Sequence, residues 1–468
     1  MYLVDNDRLL PATDHSRQIA KNLYEEIKDL PIISPHGHCD PFWFSENTNF
    51  PDAAQLFVIP DHYILRMLVS QGISFNELGV EHNSENKFET NPRLIWKKFS
   101  ENYYLFRGTP TAIWLDYSFE KVFGISQTLS AKTSDYYFDT IQEKLLQKEF
   151  LPRSLYEKFN IEVLATTDSA LSELEHHKSL KCCSWNARII PTYRPDGIID
   201  PELNEFKGNL IKLGELTGEE TNSWKGYIKA HQIRRLFFKE MGATATDHGH
   251  PSARTENLPQ AEAEKLFKII LSGEFSSEQA EIFRGQMLFE MAKMSCEDGL
   301  VMQIHPGSRR NHSEKIYSHY GSDKGFDIPG RTDYVSALKP LLDEVGLRTD
   351  LTIILFTLDE TSYSRELAPM AGVYPALKLG PPWWFFDSYE GMKRFRERTT
   401  ETCGFYNTVG FNDDTRAFCS IPARHDVARR VDCAYLAELV CTGRLRENEA
   451  NEVAYDLAYG LAKSAYKL

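Results

Sequence analysis

The chain has 468 residues, of which 42% are hydrophobic and 26% are charged, and its formal net charge is −14. This composition is ordinary for a globular protein with a large core, and the length fits one elaborated α/β domain over residues 1–468. The negative charge argues against binding to nucleic acid or to an anionic membrane, whose phosphates it would repel. The first residues lack a basic region before an apolar run, and no stretch of about 18 apolar residues occurs, so we expect a cytoplasmic protein.

The first predicted elements are a helix and a short strand. Ile19, Leu23, Ile27 and Leu30 recur at helical spacing within DHSRQIAKNLYEEIKDL, which predicts a helix with one buried stripe. The apolar run PIISPHGH at 31–38 ends in polar residues. A parallel strand has this appearance when its body is buried and its carboxyl end opens into a site.

The same pattern of a short apolar run ending in polar residues recurs along the chain. Seven further strands are predicted around 161–168, 187–196, 244–250, 300–307, 351–360, 373–384 and 405–414. Amphipathic stretches lie between them, at 169–181, 263–273, 336–346 and 391–399. Eight alternating βα units favour a closed TIM-type barrel over an open sheet.

Residues 41–160 separate the first predicted strand from the second. They contain mainly helical patterns, for example at 61–73 and 135–151, and no linker or internal repeat marks an independent domain. We therefore predict one barrel domain that carries a mainly helical insertion at 41–160.

Several predicted strands end in side chains that bind metals or transfer protons. His36 and His38 are two residues apart, so strand alternation would point both imidazoles into the barrel mouth, as a divalent metal site requires. The alternative is two unrelated polar histidines. It is weakened because His305 and the pair Asp247 and His248 also end strands, and the carboxyl ends of barrel strands carry the active site.

The segment NDDTR ends the eighth predicted strand. Asn412, Asp414 and Arg416 would share one face and Asp413 the other, but alternation does not say which face points inward. Asp413 could instead support a ligand or cap a helix. Arg194 and the pair Arg309 and Arg310 lie near the same edge, where they would suit a carboxylate-bearing substrate unless they are surface charges.

An ordered set of segments connects these residues to a known family. The segments are HGHCDP, DHYILR, FRGTPTAIWLD, TTDSALSELEHH, PTYRPD, TDHGH, QIHPGSRRN, WWFFD, GFNDDTRAF and RHDVARRV. In this order they make the chain resemble the uronate isomerases, the glucuronate isomerase family, an outlying branch of the amidohydrolase superfamily. The resemblance implies a distorted (β/α)8 barrel with a helical insertion after the first strand. It also implies conversion of D-glucuronate to D-fructuronate and of D-galacturonate to D-tagaturonate.

The resemblance also implies roles for individual residues. His36, His38 and Asp414 match the metal ligands, with Zn²⁺ as the expected ion, and His62 and Tyr63 match a pair supplied by the inserted segment. Arg416 matches the arginine beside the metal carboxylate. The residues that match the substrate-binding positions are Arg194, Asp247, His305, Arg310 and Trp383. The chain departs from many relatives in reading DDTR for TDSR, which places Asp413 where they have Thr, and WWFFD for WWFND.

These roles give a mechanistic hypothesis for aldose–ketose isomerisation through an enediol. Tyr63, with its pKa lowered by Arg416, would exchange the C2 proton, while His36 and Asp414 transfer hydroxyl protons and the arginines hold the carboxylate. Without the resemblance, Tyr63 would be interpreted as a packing residue on its helix. A direct hydride shift and the role of the metal, as Lewis acid, substrate ligand or organiser of the site, stay open.

Two other functions are alternatives to aldose–ketose isomerisation. A metal-dependent hydrolase of the same superfamily would cleave an amide or lactone, and its site usually contains a lysine or further histidines at the metal. A catalytically silent protein that binds sugar acids would not need the complete set of histidines, Tyr63, Asp414 and Arg416.

Cytosolic enzymes of this size commonly form homo-oligomers, and we expect one here.

Overall fold

The computed structural model describes residues 3–83 and 88–468. The strands within these residues are β1 Ile32–Ser34, β2 Ile161–Ser169, β3 Arg188–Arg194, β4 Ala245–His248, β5 Val301–Ile304, β6 Ser308–Arg309, β7 Ile328–Pro329, β8 Ile353–Leu355 and β9 Leu377–Leu379. In this part of the chain, seven of them form one parallel sheet in the order β1, β2, β3, β4, β5, β8, β9. β6 and β7 form a separate antiparallel hairpin.

Helices connect the strands and cover the sheet. The α-helices are α1 Asp14–Ile27, α2 Pro41–Glu46, α3 Ala53–Phe57, α4 His62–Ser70, α5 Pro92–Glu101, α6 Pro110–Tyr117, α7 Ser134–Leu145, α8 Pro152–Lys158, α9 Glu175–Cys182, α10 Asp196–Ile199, α11 Phe206–Thr217, α12 Trp224–Glu240, α13 Gln260–Ser272, α14 Ser277–Asp298, α15 Glu314–Tyr320, α16 Val335–Val345, α17 Ala368–Ala371, α18 Tyr389–Cys403, α19 Ile421–Cys441, α20 Glu447–Tyr455 and α21 Leu461–Tyr466. Each amphipathic stretch predicted between strands contains a helix. Within the described ranges, no helix is both long enough and apolar enough to cross a lipid bilayer.

The sheet shows why the strands are short apolar runs. Every residue of β1, β4, β5 and β8 is buried, because helices cover the outside of the curled sheet and side chains fill its inside. Each strand pairs in parallel with its neighbour, for example Ile354 with Lys378. The predicted α/β class is confirmed, and the predicted distorted (β/α)8 barrel is present, within the described residues, as a curled parallel sheet of seven strands.

The eighth predicted strand, at 405–414, does not form. Thr408 makes a single bridge to Leu379, and Val409 N donates to the carbonyl of Leu379 at 3.1 Å. The segment then leaves the extended conformation, because Gly410 and Asp414 have φ values of 75° and 36°. It nevertheless occupies the eighth position, since His38 N donates to the carbonyl of Thr415 at 2.9 Å on the side of β1.

Helices α2 to α8 lie between β1 and β2. Their buried aromatic side chains form one cluster that includes Phe44, Trp96 and Phe119, each 0% exposed. α4 is the helix of this group that carries His62 and Tyr63. Asp61 caps its first turn, accepting hydrogen bonds from the backbone N–H groups of Tyr63 and Ile64.

Candidate active site

A cavity of about 390 Å³ lies at the carboxyl ends of the strands. The eleven residues to which the family resemblance assigns a role all line it: His36, His38, His62, Tyr63, Arg194, Asp247, His305, Arg310, Trp383, Asp414 and Arg416. The other candidates, His248, Arg309 and Asp413, are not among its lining residues. Strand ends supply Arg194, Asp247 and His305, whereas α4 supplies His62 and Tyr63. The cavity therefore unites residues that are up to about 380 positions apart in sequence, as barrel active sites do.

Two histidines and one carboxylate converge in this cavity. The Nε2 atoms of His36 and His38 lie 3.4 Å and 3.0 Å from the same oxygen, Oδ1 of Asp414. Burial alone would raise the pKa of Asp414, but the two imidazoles outweigh it and hold that pKa well below its usual value. The carboxylate is thus ionised and faces two imidazole nitrogens, and the three side chains could hold a metal ion.

The donor set fits zinc. Two imidazole nitrogens with one carboxylate oxygen are a common catalytic set of protein ligands for that ion, and three protein ligands leave room for a further ligand. Asp414 has a φ of 36°, in the left-handed region that a residue with a side chain adopts only under local constraint. This backbone conformation turns the carboxylate of Asp414 toward the histidines, although the preceding residues make only a single bridge to the sheet.

A second group lies beside the first. His305 Nδ1 donates to Oδ1 of Asp247 at 2.6 Å, and the other oxygen of Asp247 lies 3.0 Å from Nη1 of Arg194. The His305 ring stacks on that of His36, with centroids 4.7 Å apart. His305 Nε2 is buried and has no hydrogen-bond partner among the described residues. That nitrogen is available to a ligand in the cavity.

Three of the four arginines that line the cavity, Arg194, Arg310 and Arg416, differ in how firmly the protein itself binds them. Arg194 contacts Asp196 at 2.8 Å and Asp247 at 3.0 Å. Arg310 donates to Asp327 at 2.9 Å. Arg416 approaches its nearest carboxylate, Asp323, only to 3.7 Å. The guanidinium of Arg416 is therefore the least committed of the three to an internal partner.

The structure contradicts the predicted effect of Arg416 on Tyr63. Burial raises the pKa of Tyr63 above its usual value, and the guanidinium that opposes this rise most strongly belongs to Arg424. Arg416 acts on His62 instead. Burial, followed by the positive charge of Arg416, lowers the pKa of His62 to about 3, so His62 is neutral at physiological pH.

Comparison with known proteins agrees with this geometry. The family model described as glucuronate isomerase matches residues 6–466. The chain belongs to the glucuronate isomerase family. Two relatives named uronate isomerase, from Rhizobium meliloti and Mesorhizobium japonicum, are 61% and 60% identical, and each alignment covers 100% of this chain and 99% of the relative.

Solved structures of this family share the fold. The crystal structure of glucuronate isomerase from Caulobacter crescentus is 54% identical and has a TM-score of 0.98, with 99% of this chain and 97% of that chain covered. Uronate isomerase from Thermotoga maritima is 27% identical, has a TM-score of 0.92 and is covered, like this chain, over 100% of its length. The chain is therefore similar to family members in both sequence and fold over its whole described length.

The departure from many family members at position 413 has a structural counterpart. Asp413 is 1% exposed and is not among the residues that line the cavity, and its Oδ2 accepts a hydrogen bond of 3.0 Å from Nε2 of His425 on α19. Asp413 thus braces the turn that holds Asp414 rather than adding a carboxylate to the cavity surface. The second departure, WWFFD, lies at Phe386, which ends the short helical turn Trp384–Phe386 and is not among the residues that line the cavity.

Sequence reasoning missed several residues of the cavity wall. Asp61, Thr167, Asp323, Asp327, Trp384 and Arg424 also line it. Asp323 and Asp327 belong to no predicted helix or strand, so nothing in the sequence indicated that they pair with arginines. Arg424 belongs to RHDVARRV, one of the segments that carry the family resemblance, but helical spacing alone does not show which of its arginines faces the cavity.

Proposed function

We propose that the protein is a uronate isomerase that converts D-glucuronate to D-fructuronate and D-galacturonate to D-tagaturonate. The observation that carries the proposal is one cavity with three parts: the group of His36, His38 and Asp414, the tyrosine Tyr63, and a wall of arginines. A uronate has a carboxylate at one end and a reducing sugar carbon at the other. The arginines suit the first, and the histidine–aspartate group and the tyrosine suit the second.

The arginines would bind the substrate carboxylate. Arg416 is the strongest candidate because its pair with Asp323 is long and half-exposed, whereas Arg194 is held by two carboxylates. Arg310 is next, with Asp327 as its partner.

Tyr63 would exchange the proton of C2. Its pKa is raised by burial, so at neutral pH the phenol is mostly protonated and the reactive tyrosinate is the minor form. Removal of the C2 proton by that form gives an enediol, and return of a proton to C1 gives the ketose. His36 and Asp414 would transfer the hydroxyl protons that ring opening and enediol formation require.

We further propose Zn²⁺ as the cofactor, held by His36, His38 and Asp414. Bound there, zinc would polarise substrate oxygens and lower the pKa of a coordinated hydroxyl. His305 lies beside this group, and because its Nδ1 carries the proton donated to Asp247, its buried Nε2 is free to accept a hydrogen bond from a substrate hydroxyl. Trp383 packs edge-on against the His305 ring, with centroids 4.7 Å apart, and limits water in the site.

The test is a substrate panel with the purified protein and added Zn²⁺. D-glucuronate and D-galacturonate are compared with ester, amide and lactone substrates, which the metal-dependent hydrolases of the superfamily would cleave. We expect the keto-uronates to form and the hydrolytic substrates to stay intact. Hydrolysis without isomerisation would instead favour the hydrolase.

A further inference from the structure

The segment RHDVARRV contains three arginines on α19 that the proposed function leaves unassigned. Arg429 donates to the backbone carbonyls of residues 28, 30 and 31, and so ties α19 to the chain before β1. Arg430 donates to Asp426 at 2.9 Å and to the carbonyl of Asn6 at 2.8 Å. Both have structural partners outside the cavity. Arg424 is the arginine of this segment that lines the cavity.

Arg424 is fixed from several sides. It is 2% exposed, its Nε donates to Oγ of Ser420 at 3.2 Å, and its Nη1 donates to Asp387. Its guanidinium carbon lies 3.6 Å from the centroid of the Trp114 ring, which is close stacking. It therefore has one orientation, set by hydrogen bonds on one side and an aromatic face on the other.

The same guanidinium lies against the tyrosine. Its carbon is 5.5 Å from the ring centroid of Tyr63, within the range of a cation–π contact. The Tyr63 ring also meets the Trp114 ring edge to face, with centroids 5.7 Å apart. Arg424, Trp114 and Tyr63 thus form one packed group, and each member restricts the position of the other two.

We propose that Arg424 is a positioning residue for Tyr63: it fixes the Tyr63 ring in the cavity and keeps a permanent positive charge beside the phenol. The inference rests on the proposed function, because it assigns Arg424 a role through Tyr63 in isomerisation. The mechanistic hypothesis drawn from the sequence instead gave Arg416 the role of the cation beside Tyr63. Arg416 lies near Asp323 and His62 instead.

The carboxylates around Tyr63 oppose ionisation of its phenol, so formation of the tyrosinate requires a cation nearby. Carboxylates that act on the phenol belong to Asp387, Asp414 and Asp61, and all of them oppose ionisation of the tyrosine. Burial opposes it as well. Among the cations, Arg424 favours the tyrosinate, and the partly exposed Arg66 lies 5.8 Å from the ring. Loss of Arg424 would leave the phenol facing carboxylates in a buried site.

The effect on turnover follows from the 5.5 Å between the Arg424 guanidinium carbon and the centroid of the Tyr63 ring. A unit charge at about this distance from the tyrosinate, at an effective dielectric constant of about 20, changes the fraction of tyrosinate, and with it the rate, by about 100-fold. Relaxation of the surrounding groups reduces this, so we expect Arg424→Gln to lower kcat by about 10- to 100-fold. KM should change by less than about 3-fold, since Arg424 is not assigned to the substrate carboxylate.

The experiment is a double-mutant cycle on the whole enzyme. R424Q, Y63F and the double variant are assayed with both uronates and added Zn²⁺. If Arg424 acts through Tyr63, the R424Q change costs less than about 3-fold in kcat once Tyr63 is already Phe. An equal loss in both backgrounds would overturn the inference, as would a rise in KM at unchanged kcat or full activity of R424Q.

Two further variants keep the result interpretable. R424K retains the charge and should recover kcat at least about 5-fold over R424Q. If R424Q does not fold, R424M, which removes the charge but keeps most of the apolar stem, takes its place in the cycle with the same criterion. R429Q removes a buried arginine of the same helix whose hydrogen bonds, among the described residues, go to backbone carbonyls outside the cavity, and should lower the melting temperature without lowering kcat. A wild-type protein that isomerises neither uronate would contradict the proposed function and this inference together, whereas an active wild type with an insensitive Arg424 contradicts the inference alone.

Discussion

Replacement of Asp323 by Asn should strengthen substrate binding. Asp323 Oδ2 lies 3.7 Å from Nη2 of Arg416, and the two side chains are 48% and 32% exposed. An ion pair this exposed contributes about 0.2–1 kcal/mol, because water screens it. If the substrate carboxylate must displace Asp323 from Arg416, removal of that charge returns at most this energy to binding, which lowers KM by up to about 5-fold. The turnover number should change little, since Asp323 contacts no reacting atom.

Initial rates over a range of D-glucuronate concentrations measure both constants. Asp350→Asn is the matched control, because Asp350 forms an exposed pair of 2.6 Å with Arg348 and neither residue lines the cavity. The control should leave KM unchanged. A higher KM for Asp323→Asn would refute the reasoning, because it would mean that Asp323 orients Arg416 for the substrate rather than competing with it.

Three further predictions concern catalysis, metal and stability. Tyr63→Phe preserves the ring packing and should lower kcat by about 10²–10⁴-fold with an unchanged circular-dichroism spectrum; near-normal turnover would remove Tyr63 as the C2 base. Chelator treatment should abolish turnover and lower the melting temperature, and added Zn²⁺ should restore both; turnover that survives complete metal removal, verified by elemental analysis, would contradict the zinc assignment. His231 is buried and burial lowers its pKa to about 3, so its contribution to stability is complete above pH 6.5 and is lost as pH falls below that value. Urea unfolding should therefore show that His231→Gln depends less on pH between 6.5 and 4, by about 1.4 kcal/mol per pH unit; identical slopes would contradict a neutral buried His231.

Strand periodicity predicted that His36 and His38 converge, but for an incomplete reason. β1 ends at Ser34, so His36 and His38 lie in the loop beyond it and the alternation of strand side chains does not apply. They converge because the loop is bonded to the carbonyl of Thr415, which places them next to Asp414. Periodicity also left the choice between Asp413 and Asp414 open. Strand alternation does not apply there either, since the chain leaves the extended conformation at Asp414.

The surroundings of Tyr63 could not be predicted from spacing. α4 follows β1 by a loop and short helices, so its direction relative to the barrel mouth depends on packing of the aromatic cluster around Trp96 and Phe119. The resemblance to the family correctly placed Tyr63 in the cavity. It did not show that Arg424, rather than Arg416, lies on its ring, because that contact depends on how α19 packs against α6 through Trp114.

Isomerisation in D2O, followed by NMR, tests the central claim most directly. The purified protein with Zn²⁺ is incubated with D-glucuronate and, separately, with D-galacturonate, and both the product and its deuterium content are recorded. We predict the corresponding keto-uronate with solvent deuterium at C1, because a proton carried by Tyr63 exchanges with solvent. Keto-uronate without deuterium would contradict proton transfer through an exchanging group, and the absence of product from both uronates would contradict the function itself.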